Sequence, residues 1–263
     1  MPDQTEKANA FRALHAGEPF VFPNPWDAGS ARALASLGFK ALASTSSGFA
    51  FTLGRLDGGV SLEEAAVHAT ALDRATDLPV AMDLENGFGP EPEDAARAIT
   101  RIAEAGAVGA SIEDWDPRGH LYDIAHATER IVAAVEAARA LTFPFMLTAR
   151  AENFVHGIAD LDDTIARLQA FEKAGADVLY APRLLSYDDM RAVCDAVTKP
   201  VNILARPDLT VAGIIEAGAQ RISVGGTLTW TAARALVDAA TQIRDDGTFS
   251  SLNFRPDFDQ WFS

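Results

Sequence analysis

Eight short apolar runs recur along this chain, separated by longer segments whose apolar positions fall three and four apart. The runs are Pro19–Phe22, Ala41–Ser44, Val80–Leu84, Val108–Glu113, Phe145–Thr148, Val178–Ala181, Val201–Leu204 and Arg221–Val224. Several lack polar alternation, as strands of a parallel sheet do when helices cover both faces. The intervening segments, Leu62–Arg74, Pro92–Glu104, Ala125–Ala140, Leu161–Lys173, Tyr187–Val197 and Leu209–Ala217, carry helical periodicity. A weak repeat joins the two patterns. Ser36-Leu37-Gly38-Phe39, Glu104-Ala105-Gly106-Ala107, Lys173-Ala174-Gly175-Ala176 and Glu216-Ala217-Gly218-Ala219 each place a glycine where a helix must stop before a strand. Eight strands and these αβ turns in 263 residues predict an α/β fold, a (β/α)8 TIM-type barrel, as one domain over residues 1–263. A doubly wound open sheet is the competing architecture, but no GxGxxG or GxxxxGK[ST] follows the first run.

Composition narrows the class of partner. Lys and Arg number 22 against 37 Asp and Glu, a balance of 22 − 37 = −15. Nucleic acid and anionic membranes would be repelled by that charge. The single cysteine, Cys194, excludes an internal disulfide and any cysteine-clustered metal site, and fits a reducing compartment. No signal-type apolar segment opens the chain and no 18-residue apolar run follows, so a cytoplasmic protein is expected. Residues 229–263 form a last helix (Trp230–Arg244) and an aromatic-rich tail with Phe249, Leu252, Phe254, Phe258, Trp261 and Phe262. Such a tail is expected to pack on the barrel or on another subunit.

In barrels of this kind the active site lies at the C-terminal ends of the strands. The third run ends Met82-Asp83-Leu84-Glu85-Asn86-Gly87-Phe88-Gly89, and an extended strand would put both acids on one side of its pleat. The fourth ends Ser111-Ile112-Glu113-Asp114, and the fifth leads into Thr148-Ala149-Arg150-Ala151-Glu152. Acids on adjacent strands beside an arginine predict a divalent cation and an anionic substrate. Oxygen ligands without cysteine or paired histidines favour Mg2+, with Mn2+ possible, over zinc. Helix capping or solvation is the structural alternative for any one of these acids.

Together with Pro23-Asn24-Pro25-Trp26-Asp27-Ala28-Gly29-Ser30-Ala31-Arg32 and Leu53-Gly54-Arg55-Leu56-Asp57-Gly58, these segments resemble the isocitrate lyase/phosphoenolpyruvate mutase superfamily, in order from about Pro23 to Thr227. The resemblance implies a (β/α)8 barrel whose eighth helix is exchanged between subunits of a homo-oligomer, a dimer or tetramer. It implies Asp83, Glu85 and Glu113 as Mg2+-site acids, some acting through water, and Asp57 as an acid close by. Arg150 matches the arginine that binds the substrate carboxylate. Ser44, Thr45, Ser46, Ser47 and Gly48 match a small-residue loop that cradles a 2-oxo acid, and Asn202 and Ser223 match later barrel positions. The activity implied is cleavage or formation of a C–C bond next to a 2-oxo acid through a metal-stabilised enolate. P–C bond chemistry of the phosphonopyruvate type, oxaloacetate hydrolysis or decarboxylation, and a non-catalytic binding role are the alternatives. Two departures stand out. Glu85 replaces the usual Asp, and the loop Trp115-Asp116-Pro117-Arg118-Gly119-His120-Leu121-Tyr122-Asp123 lacks the lyase cysteine. Arg118, His120 and Tyr122 are then the candidates to move a proton there, and His120 leads because its ordinary pKa is near neutrality. His68, His126 and His156 read as surface histidines, and Cys194 as a packed apolar residue.

Overall fold

A computed structural model describes residues 2–254 and 258–262. Eight parallel strands form the barrel wall: β1 (Phe20–Phe22), β2 (Leu42–Ala43), β3 (Val80–Asp83), β4 (Gly109–Glu113), β7 (Met146–Arg150), β8 (Val178–Tyr180), β9 (Val201–Leu204) and β10 (Arg221–Ser223). Their spatial order is β1-β10-β9-β8-β7-β4-β3-β2. All eight predicted runs are strands, shifted at the ends by at most two residues. The gap between β1 and β2 has no ladder of its own, but the Ala43 amide donates to the Pro23 carbonyl at 3.1 Å. Asn24 clasps the same seam. Its side-chain amide donates to the Ser44 carbonyl at 3.0 Å, and its Oδ1 accepts from the Val224 and Gly225 amides, each at 2.9 Å. The sheet is thus a nearly closed barrel.

The glycine turns behave as the repeat predicts. Gly38, Gly106, Gly175 and Gly218 have φ of 86°, 106°, 101° and 103°, a left-handed conformation that residues with a Cβ seldom adopt. Helices α4 (Leu62–Ala75), α5 (Pro92–Glu104), α6 (Ile124–Arg139), α7 (Leu161–Ala174), α8 (Tyr187–Ala196) and α9 (Val211–Glu216) cover the wall and bury their apolar stripes against it. Cys194 lies on α8, outside the barrel, where burial pushes its thiol up to about 11.

Three elements escape the periodicity reading. Helix α1 (Gln4–His15), started by an Asp3–Glu6 capping box, plugs the bottom of the barrel with Phe11 against Phe22, Val108, Met146 and Val178. Helix α3 (Ser46–Thr52) follows β2, and a hairpin of β5 (Trp115–Asp116) and β6 (His120–Leu121) follows β4. Helix α2 (Ala28–Ser36) is capped by Asp27, which accepts from the Ser30 amide at 2.7 Å.

Helix α10 (Thr227–Asp246) buries only Thr229, and Trp230, Leu236 and Val237 on it are 46%, 66% and 57% exposed. In the tail, Phe249, Leu252 and Phe254 are exposed, while the short helix α11 (Phe258–Phe262) lies against α2 of the same chain. The side chains of Phe258 and Phe262 fall outside the described residues. No helix among the described residues is long and apolar enough to cross a membrane.

His15, at the end of α1, is buried. Its Nδ1–H donates to the Phe11 carbonyl at 2.8 Å, so Nε2 accepts from Arg221 at 3.1 Å. Burial, then the Arg221 charge, lowers its pKa to about 3. Between that value and the ordinary 6.5 the unfolded chain binds a proton that the folded one refuses. Stability from this contact is therefore full above pH 6.5 and lost as pH falls toward 3, by about 1.4 kcal/mol per unit at most. A His15→Gln variant, which keeps an acceptor without titrating, is expected to show a flatter loss of stability in urea unfolding between pH 7.5 and 4.5.

Candidate active site at the barrel mouth

A cavity of about 600 Å3 opens at the C-terminal ends of the strands. It collects Asp57, Asp83, Glu85, Glu113, Arg150, Asn202 and residues Ser44 to Ser47, which the sequence spreads over some 160 positions. Strand register does the gathering. Asp83 pairs with Ser111 across β3 and β4, and Glu113 with Arg150 across β4 and β7.

Arg150 is the hub. Its NH1 meets Asp83 at 2.7 Å, NH2 meets Glu113 at 3.2 Å, and Nε meets Glu152 at 2.8 Å. The guanidinium lies over the Tyr180 ring, 5.3 Å from its centroid. These carboxylates raise the arginine pKa well above its ordinary value against the opposing effect of burial. Glu152 is fixed from behind: its amide donates to Asp114 at 2.8 Å, and Asp114 is held by Arg167 of α7 at 3.1 Å. Asp83 also accepts from the Ser46 amide and the Ser111 hydroxyl, both at 3.3 Å.

The acids repel one another in a partly desolvated space. Burial, then Asp83 and Asp57, raise Glu85 to about 7. Burial and Asp83 raise Asp57 as well, at the rim of the Leu53–Ser61 loop. Glu113 is pushed well up by burial, with Arg150 opposing. Glu85 reaches the cavity by a route different from the predicted pleat. β3 ends at Asp83, and Glu85 turns with φ of +50°, followed by Phe88 at +63°. Two such turns in residues other than glycine are costly unless neighbours over-determine them. Here Arg130 does so: buried over the Tyr122 ring at 4.7 Å, it donates to the carbonyls of Asn86, Gly89 (2.8 Å) and Glu91 (3.2 Å).

In the segment from Ser44 to Gly48, Ser44 and Thr45 connect β2 to helix α3, which begins at Ser46. Thr45 caps it, accepting the Gly48 amide at 3.3 Å, so that N–H is already used. Gly48 does not line the cavity. A Cβ there would sit 2.5 Å from Thr229 Oγ1, so glycine serves the packing of α3 on α10. Asn202 lies on the cavity floor, donating to Ser223 Oγ at 2.9 Å and accepting from Arg221 Nε at 2.8 Å.

His120 is not brought to the cavity. In the hairpin it pairs with Asp116, while Trp115, one residue away, lines the cavity; neighbouring strand residues face opposite ways. The His120 side chain is 58% exposed and stands 3.7 Å from Asp116, which Arg118 also holds at 2.5 Å. Replacing His120 by alanine is expected to leave turnover within about twofold of the parent; a 100-fold loss in steady-state assays would restore it to the mechanism. Tyr122 is buried and hydrogen-bonded to Asn86, so it too faces away.

Sequence reasoning missed Glu152, Tyr180, Trp115 and His156 as cavity residues. Glu152 follows Arg150 by two, the spacing already noticed for Asp83 and Glu85. His156 was read as surface and is exposed; it also lines the cavity rim, stacked on Trp115 with ring centroids 3.3 Å apart. His68, also read as surface, is buried.

Among the described residues, no three acids or histidines stand together closely enough to hold an ion by themselves. Mg2+ commonly takes one or two carboxylates and keeps several waters. The four acids Asp57, Asp83, Glu85 and Glu113 are all oxygen donors, three of them raised by burial and their neighbours, and fit that mode.

A parallel eight-stranded barrel with charged side chains at its C-terminal mouth belongs to the TIM-barrel enzymes as a class. Within that class, the family model described as phosphoenolpyruvate phosphomutase matches residues 11–244. The chain belongs to the phosphoenolpyruvate mutase/isocitrate lyase superfamily. A Burkholderia cenocepacia J2315 crystal structure, described provisionally as a lyase/mutase, is 49% identical with a TM-score of 0.95, covering 99% of this chain and 96% of that one. An uncharacterized Mycobacterium tuberculosis protein is 31% identical over 88% of this chain and 87% of its own length. A 2-methylisocitrate lyase of Halalkalibacterium halodurans is 30% identical over 93% of this chain and 84% of its own.

Proposed function

We propose that the cavity binds a small 2-oxo acid beside one Mg2+, or Mn2+, and cleaves or forms the C–C bond next to its carbonyl through an enolate. The observation that carries this reading is the Arg150 hub, a cation set among carboxylates of β3, β4 and the end of β7 at the barrel mouth. Asp83, Glu85 and Glu113, with Asp57 close by, would hold the ion. When bound, it supplies Lewis-acid stabilisation for the negative charge of the enolate.

The chain's own groups do the rest. A guanidinium has five N–H donors. Three carboxylate contacts leave Arg150 donors for a substrate carboxylate, a pairing suited to its planar fork. Ser46 and Ser47 at the start of α3 line the cavity; the Ser46 hydroxyl is given to Asp57, and that of Ser47 can add a neutral donor for an anionic substrate. Tyr180, pushed up to about 12 by burial, stays protonated and neutral at neutral pH and sets its ring under the Arg150 guanidinium. Trp115 and His156 form a flat wall at the rim that limits water entry. The only cysteine lies outside the barrel, so an isocitrate lyase-type cysteine acid is not part of this reading.

P–C bond chemistry is the second reading, supported by the phosphomutase family model. A substrate screen with and without Mg2+ separates the two, covering 2-methylisocitrate, isocitrate, substituted malates, oxaloacetate and phosphonopyruvate. Release of a 2-oxo acid or oxalate from one of the phosphorus-free substrates supports C–C chemistry; phosphate with pyruvate, or phosphoenolpyruvate, from phosphonopyruvate supports the other. Full activity in EDTA would overturn both. Oxalate binding without turnover of any of these would leave a binding protein.

The exposed apolar residues of α10 support an assembly in which this helix packs on another copy. Sedimentation is expected to give a dimer or tetramer, and a Leu236→Glu, Val237→Glu double variant to shift it toward monomer.

A further inference from the structure

Two buried polar atoms near the acids have no hydrogen-bond partner: His68 Nε2 and Glu85 Oε1. They belong to different elements. His68 comes from α4, in the apolar stripe with Ala65, Ala69 and Leu72, and is 4% exposed. Glu85 sits in the left-handed turn after β3. Both residues line one small cavity that adjoins the main one, together with Ser44, Asp83 and the apolar Val60 and Phe88. About 10 Å3 of it is open to the centre of a water-sized sphere, which is room for about one water.

Donor accounting fixes what such a water would do. The Trp26 carbonyl takes the one ring N–H of a neutral His68, and that N–H is on Nδ1, because Nε2 is the unpartnered atom. The ring is held flat against Phe49, with centroids 3.9 Å apart and planes within 6°. Nε2 is therefore a fixed acceptor. The Glu85 carboxylate is engaged by the Gly58 amide, and Oε1 is its buried oxygen without a partner. Leaving either buried atom unsatisfied would cost about 1–3 kcal/mol.

We infer that one buried water bridges His68 Nε2 and Glu85 Oε1, and that His68 is a positioning residue which holds the Glu85 carboxylate through it. The water donates one hydrogen to Nε2 and the other to Oε1. Glu85 is the position where this chain carries a side chain one methylene longer than the family's aspartate, and the bridge restrains the extra rotation. The bridge itself rests on the two atoms and the cavity; its consequence for an ion rests on the proposed function.

The test begins with a crystal structure of the full chain at a resolution that shows ordered water. One water within about 2.6–3.2 Å of both atoms is expected. A dry cavity, or a water touching only one of the two, overturns the bridge. Two variants then test positioning. His68→Phe keeps the stack on Phe49 and removes the acceptor, whereas His68→Gln returns an amide oxygen near the place of Nε2. Titration calorimetry with MgCl2 is expected to show 10–100-fold weaker binding for His68→Phe, most of it recovered in His68→Gln, with melting temperatures measured alongside. Equal weakening in both variants, or none in either, overturns the positioning role. If the parent protein binds no Mg2+, the proposed function fails, while the crystallographic water still decides the bridge.

Discussion

Exchanging Asp83 for alanine is expected to lower turnover of the 2-oxo acid substrate by about 10²- to 10³-fold, the usual loss when one preorganised charge at a developing anion is removed. Asp83 stands between the Arg150 guanidinium at 2.7 Å and the start of α3, where the Ser46 amide approaches at 3.3 Å. Removing it takes away a proposed ion ligand and frees Arg150 to turn toward Glu113 and Glu152. Asp83→Asn, which keeps size and shape, should fail nearly as badly, because charge is what an ion requires. Calorimetry with MgCl2 and steady-state rates on the same samples check both statements. A variant with parental kcat and parental Mg2+ affinity would remove Asp83 from the site.

The second large effect concerns Arg150→Met. Three carboxylates, of Asp83, Glu113 and Glu152, would lose their common cation. Breaking a buried pair by deleting one partner costs about 3–5 kcal/mol, because a charge is left without compensation. For a chain of this size that corresponds to a melting temperature lower by roughly 10 °C at pH 7.5. The sign with pH is also fixed. Without the cation the Glu113 and Glu152 carboxyls, already raised by burial, rise further above their unfolded values, so the deficit is greatest where they are ionised. It should shrink as pH falls and they protonate. Scanning calorimetry at pH 5.5 and 7.5 reads both. Added Mg2+ should recover part of the stability, since a cation bound to the folded state alone stabilises it. A variant as stable as the parent at pH 7.5 would show that Arg150 is not the counter-charge of these acids.

The histidines show how far local pattern reaches. The buried stripe of α4, Ala65, Ala66, His68, Ala69, Leu72 and Ala75, has the spacing of a core face. His68 could have been assigned to it from sequence, and only its residue type argued for the surface. His120 is the reverse case. Its residue type and its place in the loop after β4 made it attractive, yet a two-residue strand paired with Asp116 turns it outward. His156 is at the surface as read, and the loop after β7 also sets it at the cavity rim against Trp115. Turns of this kind are decided by hairpin register and loop packing, to which residue type contributes little.

What the sequence determined by itself is the barrel: eight strand runs, the glycine turns and the acids at the strand ends. Those features are local, since periodicity and a left-handed glycine act within a few residues. The tertiary structure alone decided that Arg150 is shared among three carboxylates, that Glu85 enters through a left-handed turn held by Arg130, and that Asn24 clasps the β1–β2 seam. Each depends on groups tens to hundreds of positions apart, brought within hydrogen-bonding distance by strand register and barrel closure. No spacing along the chain encodes those distances.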